Sequence, residues 1–254
     1  MLPPNPARIF HRMIGLERHS PGCVVAALAD DAHHFALRLG HEANRVTRVE
    51  GRALRFPWTA CPGAPERLHD LAGMALSPRC TVVGSRTKAR ENCTHLFDLA
   101  GLAVAFAARG DERRTYLAAV HDRPDGGEEA TLERDGVPLL HWRYRDGHVE
   151  SPEPFTGVAL FSGGFLAWAE AHLAEGAEAA IVLRRAIMIG RIRHTPFDPH
   201  ARPADTQPIR GQCFAFQPGV AEHATRQPGT RHDFSQNHDA LRRELEAALQ
   251  EETP

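Results

Sequence analysis

The stretch Thr94-His95-Leu96-Phe97-Asp98-Leu99-Ala100-Gly101-Leu102-Ala103-Val104-Ala105-Phe106 constrains this chain more than any other. Its apolar residues recur on nearly every side of a helical wheel, so a helix over 94–108 must be buried rather than laid on a surface. It is far shorter than the roughly 18 apolar residues a membrane span needs, and so is every other run in the chain. A buried helix of this kind needs a sheet or other helices to cover it.

The flanking sequence supplies strands. Residues 7–58 read as an antiparallel meander: Val24 to Leu28 is apolar, and Phe35, Leu37 and Leu39 alternate with Ala36 and Arg38 at the period of a half-buried strand. Gly40 to Asn44 supplies a turn. Arg45 to Trp58 is extended again, with Arg52, Leu54, Phe56 and Trp58 on one face and a bulge expected near Gly51. Pro62 to Met74 reads as a helix with Pro62 in its first turn.

A second strand set follows at 115–121, 129–133 and 139–149, with Asp135-Gly136 and Asp146-Gly147 as turns. Helices are expected at 164–175 and 177–193. The whole predicts an α+β fold, with antiparallel sheet and helices packed on one side. Beyond Thr195 the prolines 196, 199, 203, 208, 218 and 228 interrupt the chain. The expected division is therefore one α+β domain over 1–194 and a Pro-rich arm over 195–254, closed by a short helix at 239–251. Two readings of the arm stand side by side: it embraces a second copy in a homodimer, or it is a flexible tail.

Composition narrows the chemistry. The net charge of -2 argues against a nucleic-acid binder that relies on a broad basic face. Lys88 is the only lysine, so Schiff-base and pyridoxal chemistry would both depend on one residue in a polar loop. Histidine, which exchanges protons near neutral pH, is abundant at 16. Five cysteines make an odd set, and Met1-Leu2-Pro3-Pro4-Asn5-Pro6 lacks the pattern of a signal peptide. A cytoplasmic protein without a disulfide framework is expected.

Three stretches hold candidate functional residues. In Asp30-Asp31-Ala32-His33-His34-Phe35, alternation puts His33 with Phe35 toward the interior, and His34 with Arg38 on the other face. His33 is either a core histidine satisfied by a carbonyl or Asp31, or a catalytic base. In Pro57-Trp58-Thr59-Ala60-Cys61-Pro62-Gly63-Ala64, Cys61 precedes a helix start, where amide groups and the dipole favour a thiolate. A small buried residue in a tight turn is the equal alternative.

The third stretch, Glu91-Asn92-Cys93-Thr94-His95-Leu96-Phe97-Asp98, crowds a Cys, a His and an Asp at a buried helix start, with Thr94 or Asn92 placed to cap it. Asp98 could fix the tautomer of a catalytic His, as a carboxylate does in a triad. Cys61, Cys93, His33 and His95 also have the donor types of a zinc site, though without the spacing of a finger or of HExxH. No metal or cofactor is expected, and zinc is the alternative.

Other motifs fail. Position 160 is Leu, so the sequence around Ser162 is not a nucleophile elbow, and there is no Walker loop or GxGxxG. The run His194 to His200 reads as a surface loop. Arg55, Arg143 and Arg145 could hold a carboxylate or phenolate.

The combination DDAHHF at 30–35, PWTACPGA at 57–64 and CTHLFDLAGLA at 93–103 resembles the bacterial family of the domain of unknown function 2889, from about Gly15 to Arg193. That resemblance implies an enzyme on lignin-derived aromatic dimers, a cofactor-free lyase that eliminates formaldehyde and leaves a stilbene. It implies His33, His95 and Asp98 for proton transfer, with Cys61 and Cys93 beside them. Arg55 or Tyr144 would hold a phenolate, and Trp58, Phe35, Phe56 and Trp142 would wall the rings, with His34 in contact. The alternatives are a metal- or thiol-dependent hydrolase at Cys61, Cys93 and His95, and a non-catalytic ligand-binding protein.

Overall fold

The computed structural model describes residues 8–206 and 211–251, so Met1 to Pro6 and Pro208 lie outside the described residues. The chain divides into two compact units. One comprises residues 14–114, 197–232 and 242–254, and the other residues 1–13, 115–196 and 233–241. Both are antiparallel strands with helices, an α+β fold as the patterning predicts. Strand β1 (Phe10–Ser20) starts in the second and continues into the first.

In the unit built on residues 14–114, strands β2 (Cys23–Asp30), β3 (His34–Glu42) and β4 (Arg45–Arg55) follow β1 in the order β4-β3-β2-β1. Ala43 and Asn44 both adopt positive φ, 45° and 61°, which gives the two-residue turn whose twist suits a hairpin. Strand β2 is buried at every position from Val24 to Asp30, and a strand apolar on both faces needs two covers. Helix α1 (Thr94–Arg109) packs on β2 and β3 from one side. On the other, Leu245 and Leu249 of the last helix close over Gly15.

Gly51 does not carry the expected bulge. It pairs in register with Leu37, and a Cβ there would stand 3.1 Å from both Pro65 and Leu68, so the glycine makes room for the segment above it. The pairing skips instead at Leu54 and at Thr47. The skip at Leu54 breaks the expected common face of Arg52, Leu54, Phe56 and Trp58, and it sets Arg55 directly opposite His34. The expected helix at 62–74 forms as 3₁₀ turns over Cys61–Leu71, because Pro65 lacks the N–H an α-helix would use.

Helix α1 matches its expected span and is buried nearly all round. Its N-cap is Cys93, without a side-chain cap bond, because Asn92 instead donates to Thr87 Oγ1 and to the Lys88 carbonyl, each at 2.9 Å. At Gly101 a Cβ would lie 2.1 Å from the Cys80 carbonyl oxygen, so backbone contact there requires glycine.

The other unit holds β5 (Arg113–Asp122), β6 (Glu128–Arg134), β7 (Val137–Arg145) and β8 (His148–Ser151), hydrogen-bonded in that order. The expected strand at 139–149 is two strands, divided by Asp146-Gly147 at positive φ, as Asp135-Gly136 divides β6 from β7. Helices α2 (Phe165–His172) and α3 (Ala177–Gly190) follow, and α3 packs on β6 and β7. After residue 195 the chain forms short 3₁₀ turns until α4 (His238–Gln250), and residues 197–232 group with 14–114. Among the described residues no helix is long and apolar enough to cross a membrane.

Candidate functional site

The site is built where β2 turns into β3 beneath the start of α1. Asp30 is fully buried, and its Oδ1 accepts the backbone N–H of Ala32 at 3.0 Å and of His33 at 2.9 Å. These bonds shape the tight turn, a role short acidic side chains fill well. The same oxygen lies 2.9 Å from His33 Nδ1. A carboxylate accepts only, so Nδ1 carries the proton and Nε2 is left as the basic atom.

His33 projects to the same side as Phe35, as alternation predicts, and His95 in the first turn of α1 comes down on both. The His33 and His95 rings stack with centroids 3.9 Å apart, and Phe35 stacks on His95 at 5.5 Å with planes 9° apart. Asp30, His33 and His95 are all buried, and each offers a ligand-type atom within 4.8 Å of the others. Cys93 Sγ lies 3.8 Å from His95 Nδ1.

The carboxylate that orients His33 is therefore Asp30. Asp98 stands one turn further along α1, half-buried, close enough to disfavour ionisation of Cys93. Of the two readings of Cys61, a reactive thiolate and a small buried residue, burial favours the second. Burial pushes its thiol far up, and neighbouring Cys93 adds to the effect, so desolvation outweighs the helix-start amides. Burial pushes Cys93 up to about 12, against the backbone bonds at Leu96 and His95. Cys213, which no motif singles out, joins these two and is raised by burial as well.

His34 faces the opposite side of β3. Its Nδ1 lies 3.9 Å from Glu244 Oε2 of α4, and Arg55 donates to that same oxygen at 2.6 Å. His232 Nδ1 stands 3.5 Å from Glu244 Oε1. Arg55 also donates to the Asp30 carbonyl at 2.9 Å, which ties this ionic cluster to the turn that holds His33. Burial lowers His34 to about 4, with Glu244 acting against the shift and Arg55 adding to it. Arg55 is thus engaged with Glu244 rather than held open for a phenolate.

Trp58 is covered from the same chain. The Arg226 guanidinium sits 3.9 Å from its ring centroid, and Phe216 meets it edge-on at 5.6 Å. Thr59 N–H donates to Thr225 O, Gln227 N–H to Pro57 O and His232 N–H to Asp31 O, so residues 225–232 form a strap along the site segments. Phe56 is half-buried beside it in sequence.

Trp142 and Tyr144 belong to the other unit. Trp142 is fully buried and packs on Phe155 at 4.8 Å, while the Tyr144 hydroxyl sits beside Glu128 and Arg193. They serve as core there, since alternate positions of β7 face α3.

Residues 22–109 match the family described as Protein of unknown function (DUF2889). No curated protein matches. The DUF2889 match runs from the start of β2 to the end of α1, so it contains Asp30, His33, His95, Cys61, Cys93 and Asp98. Glu244, Arg226, His232, Trp142 and Tyr144 lie outside it, as does the remainder of the 15–193 stretch.

Asp30 and Glu244 were the residues that motif reasoning passed over. The Asp-x-x-His spacing of Asp30 and His33 was a usable signal for the first. Nothing near Glu244 in the sequence marks it.

Proposed function

We propose that this protein is an enzyme of small aromatic compounds, an acid–base lyase that eliminates formaldehyde from a lignin-derived aryl dimer to give a stilbene. The observation that carries the reading is the Asp30–His33 pair stacked on His95. It offers an oriented base and a second proton-exchanging ring at one buried point, next to the apolar face of Phe35.

In the reaction, the phenolate of the substrate pushes its electron pair through the ring and expels the benzylic oxygen substituent, which takes up a proton. A base then removes the proton of the hydroxymethyl group. The carbon–carbon bond breaks, formaldehyde leaves, and the released electron pair restores the aromatic phenolate while forming the double bond between the rings. His33 Nε2 suits the second proton removal, because Asp30 stabilises the imidazolium that forms. His95 suits the first transfer.

The thiol-dependent alternative needs an ionised sulfur, and burial of Cys61 and Cys93 works against it. The test is incubation of the purified chain with a phenolic aryl dimer bearing a primary hydroxymethyl group. Formaldehyde and the ultraviolet absorbance of a stilbene should rise together and should need His33. A protein that binds the dimer but forms neither product would overturn the reading in favour of a binding protein.

A further inference from the structure

We propose that Asp30, His33 and His95 also form a binding site for one divalent first-row cation, with zinc the best-matched probe, and that the cation displaces the proton chemistry of the centre. The inference rests on the acid–base reading only for its consequence. The binding itself stands on geometry.

Two imidazoles and one carboxylate are a common donor set of zinc sites, and three protein ligands leave a fourth position for water or substrate. The ligand-type atoms already lie within 4.8 Å of one another. Around a zinc ion with bonds of about 2.0–2.1 Å, tetrahedral ligand atoms stand about 3.3 Å apart. Binding would draw the three side chains together by that difference. The three residues also sit on rigid parts: Asp30 ends β2, His33 follows in a turn pinned by the Asp30 carboxylate, and His95 lies in the first turn of α1.

A second cluster, Asp122, Glu128 and His194, has similar donor types but a different chemistry. Arg193 donates to both carboxylates there and already supplies the positive charge. In the first cluster the neighbour of the Asp30 carboxylate is itself a donor imidazole, His33 Nδ1 at 2.9 Å. Zinc binds unprotonated imidazole, so any proton held by a ligating nitrogen leaves to solvent on binding. Occupation therefore weakens as pH falls, and it takes from His33 and His95 the lone pairs that proton transfer needs.

The experiment uses the full chain freed of metal by a chelator. Equilibrium dialysis against zinc with elemental analysis should find one zinc per chain, and cobalt in its place should give the intense visible bands of four-coordinate cobalt. Asp30→Asn and His95→Gln should each lose about tenfold or more in affinity. Absence of stoichiometric zinc, or equal binding by both variants, would overturn the proposal. Should a variant fail to fold, the cobalt spectrum of the unaltered chain still decides: weak octahedral bands alone would overturn it. Zinc should also suppress formaldehyde release. Zinc binding without any formaldehyde from the metal-free chain would sink the lyase reading and leave this one standing. Formaldehyde without zinc binding would do the reverse.

Discussion

The imidazole rings of His33 and His95 lie face to face, with centroids 3.9 Å apart and planes 27° from parallel. One ring comes from the β2–β3 turn and the other from the first turn of α1. Phe35 lies flat against the second ring, so two proton-exchanging side chains meet beside an apolar surface.

Replacing Asp30 with Asn tests the centre directly. Asparagine keeps an oxygen that can accept the Ala32 and His33 amides, so the turn should persist and the circular dichroism spectrum should be unchanged. It removes the charge that stabilises a protonated His33. Formaldehyde release should fall about 100-fold or more, as should that of His95→Gln. Activity within a factor of about three of the unaltered chain would remove the pair from the mechanism.

His34 makes folding stability depend on pH. Its folded value of about 4 lies below the ordinary 6.5, so the unfolded chain takes up the proton first as pH falls. The stability this group contributes is complete above about 6.5 and is lost progressively as pH drops toward 4. The difference is worth about 3 kcal/mol. Urea unfolding at a series of pH values should show that loss, and His34→Gln should flatten it; parallel curves for the two proteins would refute the assignment.

The buried thiols should resist alkylation. Cys61 and Cys93 are both shielded and held protonated by desolvation, so iodoacetamide at neutral pH should spare them in the folded chain. In denaturant all five cysteines should react. Rapid labelling of Cys61 in the native protein, read by peptide mass spectrometry, would show an accessible thiolate and revive the thiol-dependent reading.

Gly101→Ala should be costly despite adding one methyl group. The new Cβ would meet the Cys80 carbonyl oxygen at 2.1 Å, and backbone cannot swing aside as a side chain can. Overpacking of this kind costs about 1–3 kcal/mol, which for a chain of this size lowers the melting temperature by several degrees. Differential scanning fluorimetry measures it, and an unchanged melting temperature would show that the helix and the Cys80 segment are not pressed together.

Much of the framework was legible because it is local. The all-round apolar helix was read within a residue of its span, since its pattern and the closing Gly110 at φ 72° depend on neighbours in sequence. The Asp-Gly turns were readable for the same reason. The region after Pro62 was not, because Pro65 altered the helix type without altering its apolar spacing. The bulge was misplaced at Gly51 since a strand glycine signals either a bulge or a close approach, and here Leu68 and Pro65 made it the latter.

Sequence by itself determined that α1 is buried, that strands lie on both sides of it in the chain, and that His33 shares a face with Phe35. These follow from backbone periodicity and turn chemistry, which act over a few residues. Only the tertiary structure decided that His33 is oriented by Asp30, that His95 stacks on it, and that the skip at Leu54 sets Arg55 opposite His34 under Glu244. A polar side chain in a buried position takes whichever partner packing brings within about 3 Å, and that partner can come from anywhere along the chain.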